Sequence, residues 1–178
     1  VIDYTPHDNV AERLAKRFGA AIGEGAVRAA VRSRRALELG QVEAEVLPLL
    51  ARALLAANQP ALLVAQFGSV NLAEPLAAAQ LKSAVAEAEA TLGDLEAARN
   101  SLDSALRASP GFAPARVLRA RVTAVAGDLA GALAQVNELL AGQPGDANGW
   151  VLKGDLLARL QGSGAEVRQA YQQALTGR

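Results

Sequence analysis

The chain contains no cysteine and no methionine among its 178 residues. Without cysteine there is no disulfide, no thiolate nucleophile and no thiolate metal site, and neither cytoplasm nor periplasm is excluded. Histidine occurs once, as His7, beside Pro6 in a stretch that fits no helical pattern. It has no partner nearby in sequence and reads as a solvated loop residue. No Ser-His-Asp set, no HExxH spacing and no cofactor motif emerges elsewhere, so no catalytic, metal or cofactor residue is expected. Aromatics make up only 3% of the chain, and Tyr4, Phe18, Phe67, Phe112, Trp150 and Tyr171 are too scattered to form a base-stacking platform. An excess of one charge is also missing: 18 basic and 18 acidic residues cancel, which removes the footprint of a nucleic-acid binder. The longest apolar region, Val46 to Ala57, is interrupted by Arg52 and is too short to span a bilayer. Neither a signal peptide nor an initiator Met is visible, which suggests a mature form or an excised piece.

Apolar residues are 51% of the chain, and with so few aromatics they are chiefly Ala, Leu and Val. Ala and Leu are strong helix formers, and small side chains let helix backbones approach closely, so an all-α fold follows. Within it the sequence repeats. Gly93-Asp94-Leu95 returns as Gly127-Asp128-Leu129, Ala98 returns as Ala132 and Pro110 as Pro144, each at an offset of 34 residues. This period, with its small residues, Gly-Asp turn and closing Pro, resembles the tetratricopeptide repeat (TPR), a pair of antiparallel helices. The expectation is an all-α, TPR-type α-solenoid of about five helix pairs in a right-handed superhelix. Repeats would lie near 10–43, 44–78, 79–112, 113–146 and 147–178, the first two degenerate, with 1–7 a linker or remnant and 8–178 a single domain.

In chain order, Asp8 can cap a helix to about Ile22, and Gly23-Glu24-Gly25 makes a turn. The spacing of Gly19, Gly23 and Gly25 matches no phosphate-binding loop. A helix from Ala26 to Leu39 carries Arg28, Arg32, Arg34 and Arg35 on what reads as a solvated face. The next runs from about Val42 to Ala57, with Pro48 predicting a late start or a kink. A short helix opens at Pro60 and ends near Gly68, and Ser69 to Pro75 reads as irregular. Helices are then predicted at about 77–92, 95–108, 114–126, 129–141, 147–161 and 164–176. Asp94, Asp128 and Asp146 are N-cap candidates, and Ser163 with Glu166 forms a capping box. The fifth repeat has one extra residue in its turn, which brings Tyr171 and Ala174 into register; Trp150 reads as a packing residue.

The TPR resemblance implies that a protein or peptide partner binds the concave face, formed by the first helix of each pair. The frame puts Arg52, Glu87, Arg121 and Asp155 at one equivalent concave position in successive repeats. Their alternating charge fits a ladder of mutual ion pairs, or a polar groove for a partner of mixed charge. The Lys-Asn-Arg clamp with which some TPRs hold chaperone tails is not matched: the places hold Gln80, Ser83 and Glu87 in one repeat, Asn148, Val151 and Asp155 in another. The last helix carries Val167, Ala170, Tyr171, Ala174 and Leu175 on one stripe, which suggests homo-oligomers through the solenoid ends.

Three phrases resemble a narrower family. They are Arg35-Ala36-Leu37-Glu38-Leu39-Gly40, Glu45-Val46-Leu47-Pro48-Leu49-Leu50-Ala51-Arg52-Ala53-Leu54-Leu55 and Trp150-Val151-Leu152-Lys153-Gly154-Asp155-Leu156-Leu157. In order and spacing they are similar to the TPR-repeat lipoproteins of the PEP-CTERM/exosortase system. The resemblance covers residue 26 onward and implies an N-terminal-half fragment of a non-enzymatic scaffold, periplasmic or outer-membrane-associated in a bacterium, linked to exopolysaccharide production and protein sorting. The first 25 residues depart from the pattern, and the lipobox cysteine is absent from this sequence.

Overall fold

The computed structural model describes residues 42–176, and these form eight helices and no strand. The helices predicted over 8–22 and 26–39, the glycine turn between them, His7 and the arginines of 28–35 lie outside the described residues, as does the first repeat. The helices are α1 (Val42–Ala56), α2 (Pro60–Phe67), α3 (Pro75–Thr91), α4 (Leu95–Ala108), α5 (Ala113–Val125), α6 (Leu129–Gly142), α7 (Ala147–Arg159) and α8 (Gly164–Thr176). They pack as four consecutive antiparallel pairs, and the first helices α1, α3, α5 and α7 also stack on one another in that order. The described chain is a TPR-type α-solenoid.

One turn, repeated four times, sets this arrangement. Asn58, Gly93, Gly127 and Gln161 all have positive φ, of 54°, 87°, 100° and 58°. Each ends the first helix of its pair. The amide of the left-handed residue reaches the carbonyl three back (Gly93 to Ala90, 3.1 Å), and the next amide reaches five back (Asp94 to Glu89, 2.9 Å). The same two bonds recur as Asn58–Leu55 and Gln59–Leu54, Gly127–Ala124 and Asp128–Thr123, and Gln161–Ala158 and Gly162–Leu157. This is the Schellman closure, which satisfies carbonyls that the helix end leaves open. The partner helix then starts at once under a cap: the Asp94 carboxylate accepts from the Ala97 amide at 3.0 Å, and Asp128 from Gly131 at 2.8 Å. In the last pair Gly162 is the extra residue, and the predicted box forms behind it, with Ser163 N–H donating to Glu166 Oε2 at 3.1 Å and Glu166 N–H to Ser163 Oγ at 3.3 Å.

The small and large residues of the repeat frame fill the interior. Ala86, Ala98, Leu102 and Ala105 in one repeat, and Ala120, Ala132, Val136 and Leu139 in the next, are all fully buried. Burial falls into three clusters in a row. Leu50, Leu54, Leu63, Leu81 and Val85 join α1 to α2 and α3. Ala79, Ala86, Leu102, Ala115 and Val122 join α3 to α4 and α5. Val117, Ala120, Val136, Leu139, Leu152 and Leu156 join α5 to α6 and α7. The helices α3 and α5 thus each bury two faces, and α3, with ten buried residues, is the hub.

Two expectations are corrected. The helix α1 does not wait for Pro48 but begins at Val42, with Pro48 buried inside it. Proline forfeits one backbone bond, to Ala44, and burial of its ring offsets part of that loss. Pro75 is not part of an irregular connection: it opens α3, and Glu74 caps it, accepting from the amides of Leu76 and Ala77. A proline whose missing N–H falls in a first turn costs no intrahelical bond.

Candidate partner-binding groove

The first helices of successive pairs line a groove of about 760 Å³. Its wall takes Pro48, Leu49 and Arg52 from α1, Gln80 and Glu87 from α3, and Phe112, Pro114, Val117, Leu118 and Arg121 on and just before α5, with Asp146 and Asn148 at its far edge. The floor is apolar and accessible: Leu49 is 52% exposed and Leu76 49%. Ser83 reaches this floor, but its hydroxyl donates to the Ala79 carbonyl of its own helix at 2.7 Å and so offers a visitor little. Two of the acids are committed to the fold. Glu74 caps α3, and Asp146 caps α7 through the Gly149 amide at 2.6 Å.

Arg52, Glu87, Arg121 and Asp155 each stand six residues before the left-handed residue of their turn, so they occupy one equivalent rung in the four pairs. The structure brings three of them to the groove wall, Arg52, Glu87 and Arg121, all solvent-exposed. Asp155 is not on that wall; its carboxylate accepts a 2.6 Å hydrogen bond from the Tyr171 hydroxyl of α8. That bond holds the Tyr171 proton and raises its pKa, with burial and the Asp155 charge adding to the effect. The ladder of ion pairs does not form. Among the described residues the one ion pair is Arg116–Glu138, at 2.9 Å between α5 and α6. At the width of a helix–helix contact, of about 8–10 Å, exposed side chains on neighbouring rungs gain too little to hold one geometry.

Sequence reasoning missed the apolar part of the wall, in particular Leu49, Leu76, Phe112 and Leu118. These are leucines and a phenylalanine in a leucine-rich chain, and only their place on the concave side of the first helices distinguishes them from core. Trp150 packs as expected: it is half-buried, its indole N–H donates to the Pro144 carbonyl at 2.7 Å, and Lys153 Nζ lies 5.1 Å from the ring centroid. Away from the groove, Glu89 on α3 is buried, with one carboxylate oxygen unpartnered. Burial raises its pKa, the Ser101 hydroxyl opposes the rise, Asp94 adds to it and Lys82 opposes it. Lys82 is pushed the other way by burial, partly countered by Glu89, while its ammonium donates to the Gly68 carbonyl at 2.9 Å. Among the described residues no group of His, Cys, Asp and Glu could hold a metal ion, and no helix is long and apolar enough to cross a membrane.

Stacked helix pairs with an open groove across their first helices define a TPR-type fold. Residues 89–160 match the tetratricopeptide repeat family model, and no curated protein matches the chain. Among solved structures the fold is similar to a crystal structure of MamA protein, with a TM-score of 0.63 and 16% identity, covering 97% of this chain and 90% of that one. A second crystal structure of MamA aligns with a TM-score of 0.63 and 16% identity, over 99% of this chain and 96% of that one. At that identity the likeness establishes the fold.

Proposed function

We propose that this protein is a non-catalytic scaffold that binds an extended segment of a partner protein along the groove. The observation that carries the reading is the groove itself, which runs across three stacked first helices with an accessible apolar floor and, on its wall, charged groups that make no ion pair with the described residues. An extended segment binds such a surface by placing apolar side chains on the floor while its polar groups meet the wall. The test is site-specific photo-crosslinking from Leu49 and Leu76, with Leu92, exposed on another surface, as the control. Partner captured at the first two positions and not at the third supports the reading; equal capture at all three sinks it.

The setting we propose is the bacterial cell envelope, with a role in exopolysaccharide production and sorting of PEP-CTERM proteins. Its support is the three sequence phrases around Leu37, Leu50 and Val151. Fractionation of the native host, together with the chromosomal neighbours of the gene, tests it; a cytoplasmic protein with no exosortase gene nearby overturns it. A second reading, self-association through the solenoid ends, is favoured by α8, where Leu175 is 70% exposed and Tyr171 37% exposed. Light scattering that gives a strict monomer at high concentration removes it.

A further inference from the structure

We infer that the groove selects a segment whose charges follow the order acidic, basic, acidic at every third residue, held in an extended, polyproline-II-like conformation. This rests on the groove reading above and adds the identity of its occupant. Arg52, Glu87 and Arg121 sit at the same height on α1, α3 and α5, because each precedes by six residues the left-handed residue that closes its helix. Behind each lies a fully buried alanine, Ala51, Ala86 and Ala120, so the three charged residues hold the same place relative to the core of their own pair, and all three line the groove.

Packed helices lie about 8–10 Å apart, and that interval separates neighbouring rungs. A polyproline-II segment has three residues per turn and rises about 3.1 Å per residue, so every third side chain returns to one face after about 9.3 Å. The two periods agree. A β-strand presents one face at intervals of about 6.6 Å and falls out of step by the third rung. Charge fixes the order. The side chains of the two arginines and of the glutamate between them make no ion pair or hydrogen bond with the described residues, so among these residues their charges are open to a visitor's complements. Glu74 and Asp146 are occupied as caps, and Glu45, on the first turns of α1, lies well removed along the helix from Arg52. The fourth rung ends the pattern, since Asp155 is taken by Tyr171.

The experiment uses the whole chain and fluorescein-labelled peptides of equal length and equal number of charged residues, read by anisotropy. One carries Asp-x-x-Lys-x-x-Asp, with proline and leucine at the intervening places. A second has the same charges at alternate residues, and a third has the order Lys-x-x-Asp-x-x-Lys. The matched peptide is expected to bind about tenfold or more tighter than either control, with the preference shrinking as salt is raised. The triple variant R52E/E87K/R121E, altered only at exposed positions, is expected to transfer the preference to the third peptide. Equal binding of all three peptides, with no transfer in the variant, overturns the inference and leaves the groove reading in place. Failure of every peptide to bind either protein removes both.

Discussion

At position 161 a glutamine holds φ at 58°, in the turn where the two preceding pairs use glycines at 93 and 127. A side chain in that conformation costs about 1–2 kcal/mol, which glycine avoids. Gln161→Gly is therefore expected to stabilise the protein by about 1 kcal/mol, measured by urea unfolding. The reverse change is expected to cost about as much: an added Cβ at Gly127 meets nothing within 4 Å, so the loss in Gly127→Ala is conformational and not steric. Removing the neighbouring cap with Asp128→Ala should cost about 1 kcal/mol. Glu89 supplies a pH dependence of definite sign. Its pKa is raised in the folded state, so the protonated form is favoured there, and the stability it contributes at low pH is lost as pH rises from its ordinary value of 4.5 through the raised one. Glu89→Gln should raise stability at neutral pH and flatten the stability profile above pH 4.5. An unchanged profile would show that the carboxylate is solvated in solution.

Between α7 and α8 the repeat frame is kept by exchanging sizes. The small place filled by Ala86 and Ala120 is Gly154 in the last pair, and the facing place filled by Leu102 and Val136 is Tyr171. A Cβ on Gly154 would lie 2.7 Å from Tyr171 Cε1 and 2.8 Å from Cζ, while the ring is tethered by its bond to Asp155. Gly154→Ala should therefore destabilise by about 1–2 kcal/mol despite the helix propensity it gains. In a Tyr171→Ala background the same change should stabilise by up to about 1 kcal/mol, and a double-mutant cycle that shows no such change of sign refutes the size exchange. Legibility in the sequence follows the same logic. Helices closed by Gly-Asp turns could be placed within a residue or two because the turn chemistry is local. The start of α3 was obscured because glutamate is an uncommon cap. The bond that Asp155 makes could not be read, because its partner, Tyr171, stands 16 residues away on the other helix of the pair, where periodicity within one helix carries no information. The groove's charged rungs could be read from the period, but its apolar floor could not, since Leu49 and Leu76 resemble core leucines until the helices are stacked.

The whole molecule is a row of three clusters joined through α3 and α5, with no cluster spanning the described chain. Stability in such a stack is close to a sum of units and nearest-neighbour interfaces, so damage should remain largely where it is made. Leu81 belongs to the first cluster and Leu139 to the one joining α5 to α7, and both are fully buried. Truncating either to alanine should cost about 2–5 kcal/mol, yet the two losses should differ in extent. The helix α6, which carries Leu139, packs against α5 and α7, so Leu139→Ala should expose amides from α5 to α8 while α1 to α3 keep their protection. Leu81 sits on the hub, whose opposite face holds the second cluster through Ala79 and Ala86. Leu81→Ala should therefore open α1 to α4, and with them the groove, since Arg52 and Glu87 would lose their common level. Hydrogen exchange read helix by helix checks both expectations. Uniform loss of protection along the chain in both variants would mean that the clusters fold as one cooperative body, and the groove could then be lost only together with the whole solenoid.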